Sequence, residues 1–130
     1  MVNPGPALLT RPAAAACSRA MLLSTDIWVG ALIRRVEIGG GFAVVARKGD
    51  PRAGAVLVKV LNRSDGSARL LLEATRGDGE RIWMEPQASR DEPDLDRYIE
   101  RAVRIDPDIW VVEIEDREGR HFLVEPVERS

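Results

Sequence analysis

Three β-like runs in this chain end on an acidic residue followed by glycine: Asp65-Gly66, Asp78-Gly79 and Glu118-Gly119. Alternating apolar and polar residues flank each pair, which predicts three hairpins. Side chains on a strand alternate between its two faces, so loop length decides which apolar rows meet. A three-residue loop Ser64-Asp65-Gly66 sets Val60 opposite Leu70 and Val58 opposite Leu72. A two-residue loop would instead turn the row Ala68, Leu70, Leu72 and Ala74 outward. Gly77-Asp78-Gly79 likewise sets Ala74 opposite Ile82 and Leu72 opposite Met84, and Arg117-Glu118-Gly119 sets Ile114 opposite Phe122 and Val112 opposite Val124. In each loop the closing glycine takes the left-handed conformation without steric cost.

Helical spacing appears twice. Trp28, Val29, Leu32, Ile33 and Val36 mark a helix from Thr25 to Ile38, with Thr25 or Asp26 as the cap and Gly39-Gly40-Gly41 as the stop. Leu95, Tyr98, Ile99, Ala102 and Val103 mark a second from about Pro93 to Ile105, ended by Asp106-Pro107. Phe42 to Lys48 reads as a strand, the stretch from Gly49 to Gly54 as a turn, Pro86 to Glu92 as a polar linker, and Ile109 to Glu115 with Arg120 to Glu125 as the last hairpin. The expected fold is α+β: a mostly antiparallel sheet of about six strands in three hairpins, order α-β-β-β-β-α-β-β. Two amphipathic helices are available to cover one face.

A length of 130 residues predicts one domain, placed at 21–130. Residues 1–20 hold Pro4, Pro6, Pro12 and an alanine tract without amphipathic period, and read as a disordered tail or as a start placed too early, with Met21 as the initiator. Arg11 and Pro12 interrupt any signal-peptide core, and Ala14-Ala15-Ala16-Cys17 lacks the leucine usual in a lipoprotein cleavage site. The single cysteine, Cys17, excludes an internal disulfide and any multi-cysteine zinc site, and suits a reducing compartment. No apolar run reaches the roughly 18 residues of a membrane span. Net charge is −2, so no global field attracts polyanions, and the 17 arginines against 2 lysines reflect coding bias more than phosphate binding.

Three stretches carry a family resemblance. Asp26-Ile27-Trp28-Val29-Gly30-Ala31-Leu32-Ile33-Arg34-Arg35, the segment from Gly49-Asp50-Pro51 to Val58-Lys59-Val60, and Asp108-Ile109-Trp110-Val111-Val112-Glu113-Ile114-Glu115-Asp116 together resemble the alphaproteobacterial domain-of-unknown-function family 1491, over roughly residues 24–128. The resemblance implies a cytoplasmic bacterial protein. It supplies no activity and no catalytic residue.

The candidate interaction face is the outward side of the two central hairpins: Leu57, Lys59, Leu61, Arg69, Leu71, Glu73, Thr75, Arg81, Trp83 and Glu85. Its core is Leu57, Lys59, Arg69, Leu71, Arg81 and Trp83. An aromatic and arginines among aliphatics is the composition of protein contact patches. The leading expectation is therefore a non-catalytic domain that binds a protein partner or itself around Trp83. The competing reading has the last hairpin or the linker cover this face from within. An RNA-binding alternative stacks a base on Trp83 and sets Lys59, Arg69 and Arg81 near phosphates, with Glu73 and Glu85 against it.

A metal-dependent hydrolase is a weaker alternative, with Glu113, Glu115, Asp116 and His121 at one end of the last hairpin. The register sets His121 opposite Glu115, which reads more simply as a cross-strand charge pair. Arg76-Gly77-Asp78 is the hairpin turn rather than an adhesion motif, and no glycine stretch has the spacing of a phosphate loop. No cofactor, metal ligand set or catalytic residue is expected.

Overall fold

The computed structural model describes residues 23–86 and 90–129. The expectation for residues 1–20 lies outside them. Helix α1 (Thr25–Ile38) leads into β1 (Phe42–Arg47), followed by β2 (Val56–Asn62), β3 (Ala68–Thr75) and β4 (Arg81–Glu85). Helix α2 (Glu92–Ile105), β5 (Trp110–Asp116) and the short β6 (Val127–Arg129) complete the order. The six strands form one sheet in the order β1-β5-β2-β3-β4-β6.

The fold is α+β, but the sheet is mixed rather than mostly antiparallel. β1–β5, β2–β3 and β3–β4 pair antiparallel, whereas β2–β5 and β4–β6 pair parallel. The reason lies in α2, which follows β4 and carries the chain back over the sheet, so that β5 enters beside β2 in the same direction. Both hydrogen-bonding edges of β5 are then occupied, one by β1 and one by β2. No edge remains for a hairpin partner, and the expected pairs Ile114–Phe122 and Val112–Val124 do not form. The Glu118-Gly119 turn exists, with Gly119 at φ 72°, but the chain beyond it crosses to the far side and ends in β6.

Of the other two hairpins, one matches its expected register. Leu72 lies opposite Met84 and Ala74 opposite Ile82, with Gly79 at φ 90°. The β2–β3 hairpin is displaced by one residue: Val58 faces Leu71 and Val60 faces Arg69. The loop has four residues, closed where Asn62 N–H donates to the Ser67 carbonyl at 2.8 Å. Inside it, the Asn62 and Asp65 side chains accept the N–H groups of Ser64 and Ser67.

This slip accompanies a second correction: the helices cover opposite faces, not one. Trp28, Val29, Leu32 and Val36 of α1 pack on Val56, Val58, Val60, Leu71, Trp83, Val112 and Ile114. Leu95 of α2 packs on Leu57, Ala68, Leu70 and Val111, with Tyr98, Ile99, Ala102 and Val103 around them. Strand β2 is therefore apolar on both sides, as strands between two helical layers are.

The loop between β1 and β2 is held by close backbone approach. A Cβ on Gly54 would lie 2.2 Å from the Asp108 carbonyl oxygen, and one on Gly49 would lie 2.1 Å from the same atom. Thr25 and Asp26 N–H donate to the Arg52 and Pro51 carbonyls, so this loop also satisfies the start of α1. Replacing Gly54 by alanine is expected to cost about 1–3 kcal/mol, because a backbone atom must move to admit the methyl group. Thermal denaturation should show a lowered midpoint for Gly54→Ala, with Gly77→Ala, where a Cβ meets nothing within 4 Å, as the control.

Candidate functional site

The structure divides the sequence-predicted face between the two sides of the sheet. Leu57 and Lys59 point to the α2 side, whereas Arg69, Leu71, Arg81 and Trp83 lie on the α1 side with Glu73 and Glu85. Leu57, Lys59, Leu71 and Trp83 are all buried, and Trp83 is 0% exposed. The physical cause is the combination of the slipped register, the second helical layer and the chain after β5. That chain lays Phe122 and Leu123 against the α1-side core, while Glu125 accepts the Trp83 indole N–H at 3.1 Å. Arg35 Nε donates to the Phe122 carbonyl at 3.1 Å and Arg120 to the Gly39 carbonyl at 3.1 Å, which fasten the crossing segment to α1.

The three cations expected to meet phosphates form no basic patch. Lys59 Nζ lies 2.6 Å from Glu92 and 2.8 Å from Asp96 at the start of α2, and 3.8 Å from Glu113. Burial opposes its charge, but these carboxylates prevail and raise its pKa. Arg69 grips both oxygens of Glu85 at 2.9 and 2.8 Å, and Arg81 lies 3.0 Å from Glu73. Each cation is matched by an acid.

The residues of the hydrolase reading are not gathered either. Asp116 is buried and accepts from the Arg120 guanidinium and from the Glu118 and Arg120 N–H groups. Those hydrogen bonds, Arg120's foremost, hold its carboxyl far below the usual carboxylate range. His121 does not face Glu115, whose partner on β1 is Phe42. It is half-buried, accepts the Leu123 N–H on Nδ1 at 2.9 Å, and has its pKa lowered by burial and by the field of Arg69. Among the described residues no three acidic, His or Cys side chains are placed to share a metal ion.

Two other features remain open. The first is a cavity of about 370 Å³ between the start of α1, the loop leading into β2 and the ends of β3 and β4. Trp28 stacks on Trp83 with ring centroids 5.6 Å apart, and the Arg81 guanidinium lies 5.5 Å over the Trp28 ring. Glu73 Oε1 accepts the Val56 N–H at 3.0 Å. Burial raises the Glu73 pKa against the opposing pull of Arg81. Arg52 completes the polar lining.

The second feature is the outer side of β1. Phe42, Val44 and Val45 are 53%, 39% and 38% exposed, at the free edge of the sheet. Beside it a groove of about 610 Å³ runs between β1 and α2, with Val111 in its floor and Ile99 and Val103 in its wall.

The family model for DUF1491, a protein of unknown function, matches residues 23–124. The chain belongs to the DUF1491 family. The crystal structure of a DUF1491 family protein from Caulobacter crescentus is 76% identical, with a TM-score of 0.79, over 81% of this chain and 98% of that one. An NMR structure of a family protein from the same alphaproteobacterium is also 76% identical, covering 82% and 96% with a TM-score of 0.77. A solution structure from A. tumefaciens is 36% identical over 79% and 93%, with a TM-score of 0.68. No curated protein matches the chain significantly.

The DUF1491 match holds both helices and β1 to β5, and so every residue of the cavity and the open edge; β6 lies beyond it. Sequence reasoning placed Glu73 on an outward face and Trp28 in a helix core, and missed that both line one cavity. The available signal was Glu73 itself, a lone acid in the apolar run Leu70-Leu71-Leu72-Glu73-Ala74. Among the described residues no helix is long and apolar enough to cross a membrane.

Proposed function

We propose that this DUF1491 protein is a non-catalytic interaction domain that pairs with a second copy of itself through the free edge of β1. The observation that carries the reading is a strand whose outer side has no neighbour among the described residues and which exposes Phe42 and Val44 on one face and Val45 on the other. A strand edge presents unpaired N–H and C=O groups, a template for another strand. β1 lacks the proline or inward charge that usually protects such an edge, and has only an irregularity between Val45 and Arg47.

Two arguments favour a second copy as the occupant. Antiparallel pairing of β1 with itself about a two-fold axis is closed and does not propagate through that edge. Centred on Val44, it sets each Val44 against its counterpart and each Ala43 against Val45. Charge agrees as well. In that register Arg47 and Lys48 of each strand fall opposite Gly41 and Gly40 of the other, so no like charges meet across the pair.

The single domain expected at 21–130 would be the dimerising unit; the chain's one cysteine, Cys17, precedes that domain, and such sparse cysteine usage supports a reducing, cytoplasmic setting. This surface takes the place of the buried Trp83 face. Light scattering after size exclusion should give twice the 14.4 kDa chain mass for wild type and the single mass for Val44→Lys, which opposes two lysines across the axis. A wild type that stays monomeric up to about 1 mM, the weak end of measurable affinity, overturns the reading.

A further inference from the structure

We infer that the cavity at the start of α1 binds a small monocarboxylate with an apolar body, taken between Arg52 and Arg81. The lining holds two guanidinium groups against one carboxylate, Glu73. Glu125, close enough to act on Glu73, adds a second acid behind the lining, so the positive field that Arg52 and Arg81 leave suits at most a monoanion. A doubly charged phosphate would place a second negative charge near Glu73, in a cavity with too little positive charge to offset it.

The donors are available. Arg81 meets Glu73 through one Nη at 3.0 Å, and its other N–H groups have no hydrogen-bond partner among the described residues. A planar guanidinium with spare donors is the group that fits a carboxylate. Arg81 is also held in place: its flat face lies over Trp28, which is itself fixed by stacking on Trp83. Glu73 is pinned by the Val56 N–H, so the pair does not have to reorganise to admit a ligand. Arg52 stands at the rim, exposed, while its carbonyl receives the Thr25 N–H and fixes the loop that carries it. Leu23, Ala53, Ala55 and Ala74 supply apolar wall for an alkyl or aryl group. The volume is within the usual range for small-molecule sites.

The test is amide NMR titration of the full chain with sodium hexanoate, using hexylammonium chloride and sodium phosphate as comparison probes. Hexanoate should give saturable shifts centred on Ala53, Gly54, Val56 and Thr75. Hexylammonium should give none there, and phosphate should bind at least about tenfold more weakly. Arg52→Ala removes an exposed side chain, leaves the fold intact and should weaken hexanoate about tenfold. Arg81→Gln should weaken it further, with circular dichroism confirming that the variant is folded. Absence of saturable shifts at about 50 mM hexanoate overturns the inference. So does equal affinity for phosphate, or an affinity unchanged in Arg52→Ala and in folded Arg81→Gln. Because Val44→Lys lies on β1, which contributes no residue to the cavity, it should bind hexanoate as wild type does, which separates this site from the dimer edge.

Discussion

Trp83→Ala should be the most damaging single substitution among the described residues, lowering stability by about 3–5 kcal/mol. Trp83 is fully buried, stacks on Trp28 and donates its indole N–H to Glu125. Truncation leaves a void the size of an indole, strips Trp28 of its stacking partner and removes a donor from a buried carboxylate. A small domain typically has only about 5–15 kcal/mol of stability in all. Trp83→Phe retains most of the ring contact and loses the N–H, so it should cost about 1–2 kcal/mol. Urea titration of the three proteins measures both values. A Trp83→Ala midpoint within error of wild type would mean that this indole is not the centre of the α1-side core.

Asp116→Ala should be the second largest loss, about 2–4 kcal/mol, because four donors converge on one buried carboxylate. Its effect carries a pH signature. The Asp116 pKa is depressed in the folded protein, chiefly by hydrogen bonds from Arg120. A depressed carboxyl contributes stability that is fully present above its unfolded value of 3.8 and is lost as pH falls toward the folded one. The wild type should therefore lose stability below about pH 4. Asp116→Asn keeps the shape and an acceptor but cannot titrate, so its stability should be lower at pH 7 and fall less steeply in acid. Parallel curves for the two proteins from pH 7 to pH 2.5 would show that this carboxylate does not govern acid unfolding.

What the sequence made legible was local. Both helices were visible because their apolar stripes are confined to one side, and the Gly77-Asp78-Gly79 hairpin because β4 is short and its turn unambiguous. The β2–β3 register was not, because Val56-Leu57-Val58-Lys59-Val60-Leu61 is apolar on both faces, and alternation cannot choose between two buried sides. The same ambiguity misassigned Leu57 and Lys59 to solvent. Lys59 looked like a surface cation, although its ammonium is held by acids on α2 that lie more than thirty residues away in sequence. The last hairpin failed for a different reason: its turn chemistry was correct, but pairing depends on which strand edges are already taken. The cavity joins residues from α1, the β1–β2 loop, β3 and β4, and no spacing rule links them.

The central place of β5 has a consequence for how the chain acquires its structure. β1 and β2 are not neighbours; they are bridged only by Trp110–Asp116, which pairs Phe42 with Glu115 on one side and Val56 with Trp110 on the other. A nascent chain that has emerged only as far as Glu85 can form the β2–β3–β4 meander, but its first strand has nothing to join. Contacts of such long sequence separation are slow to close. Assembly is therefore governed by the arrival of the C-terminal third, and truncations short of Trp110 would leave two sheet edges open to misassociation.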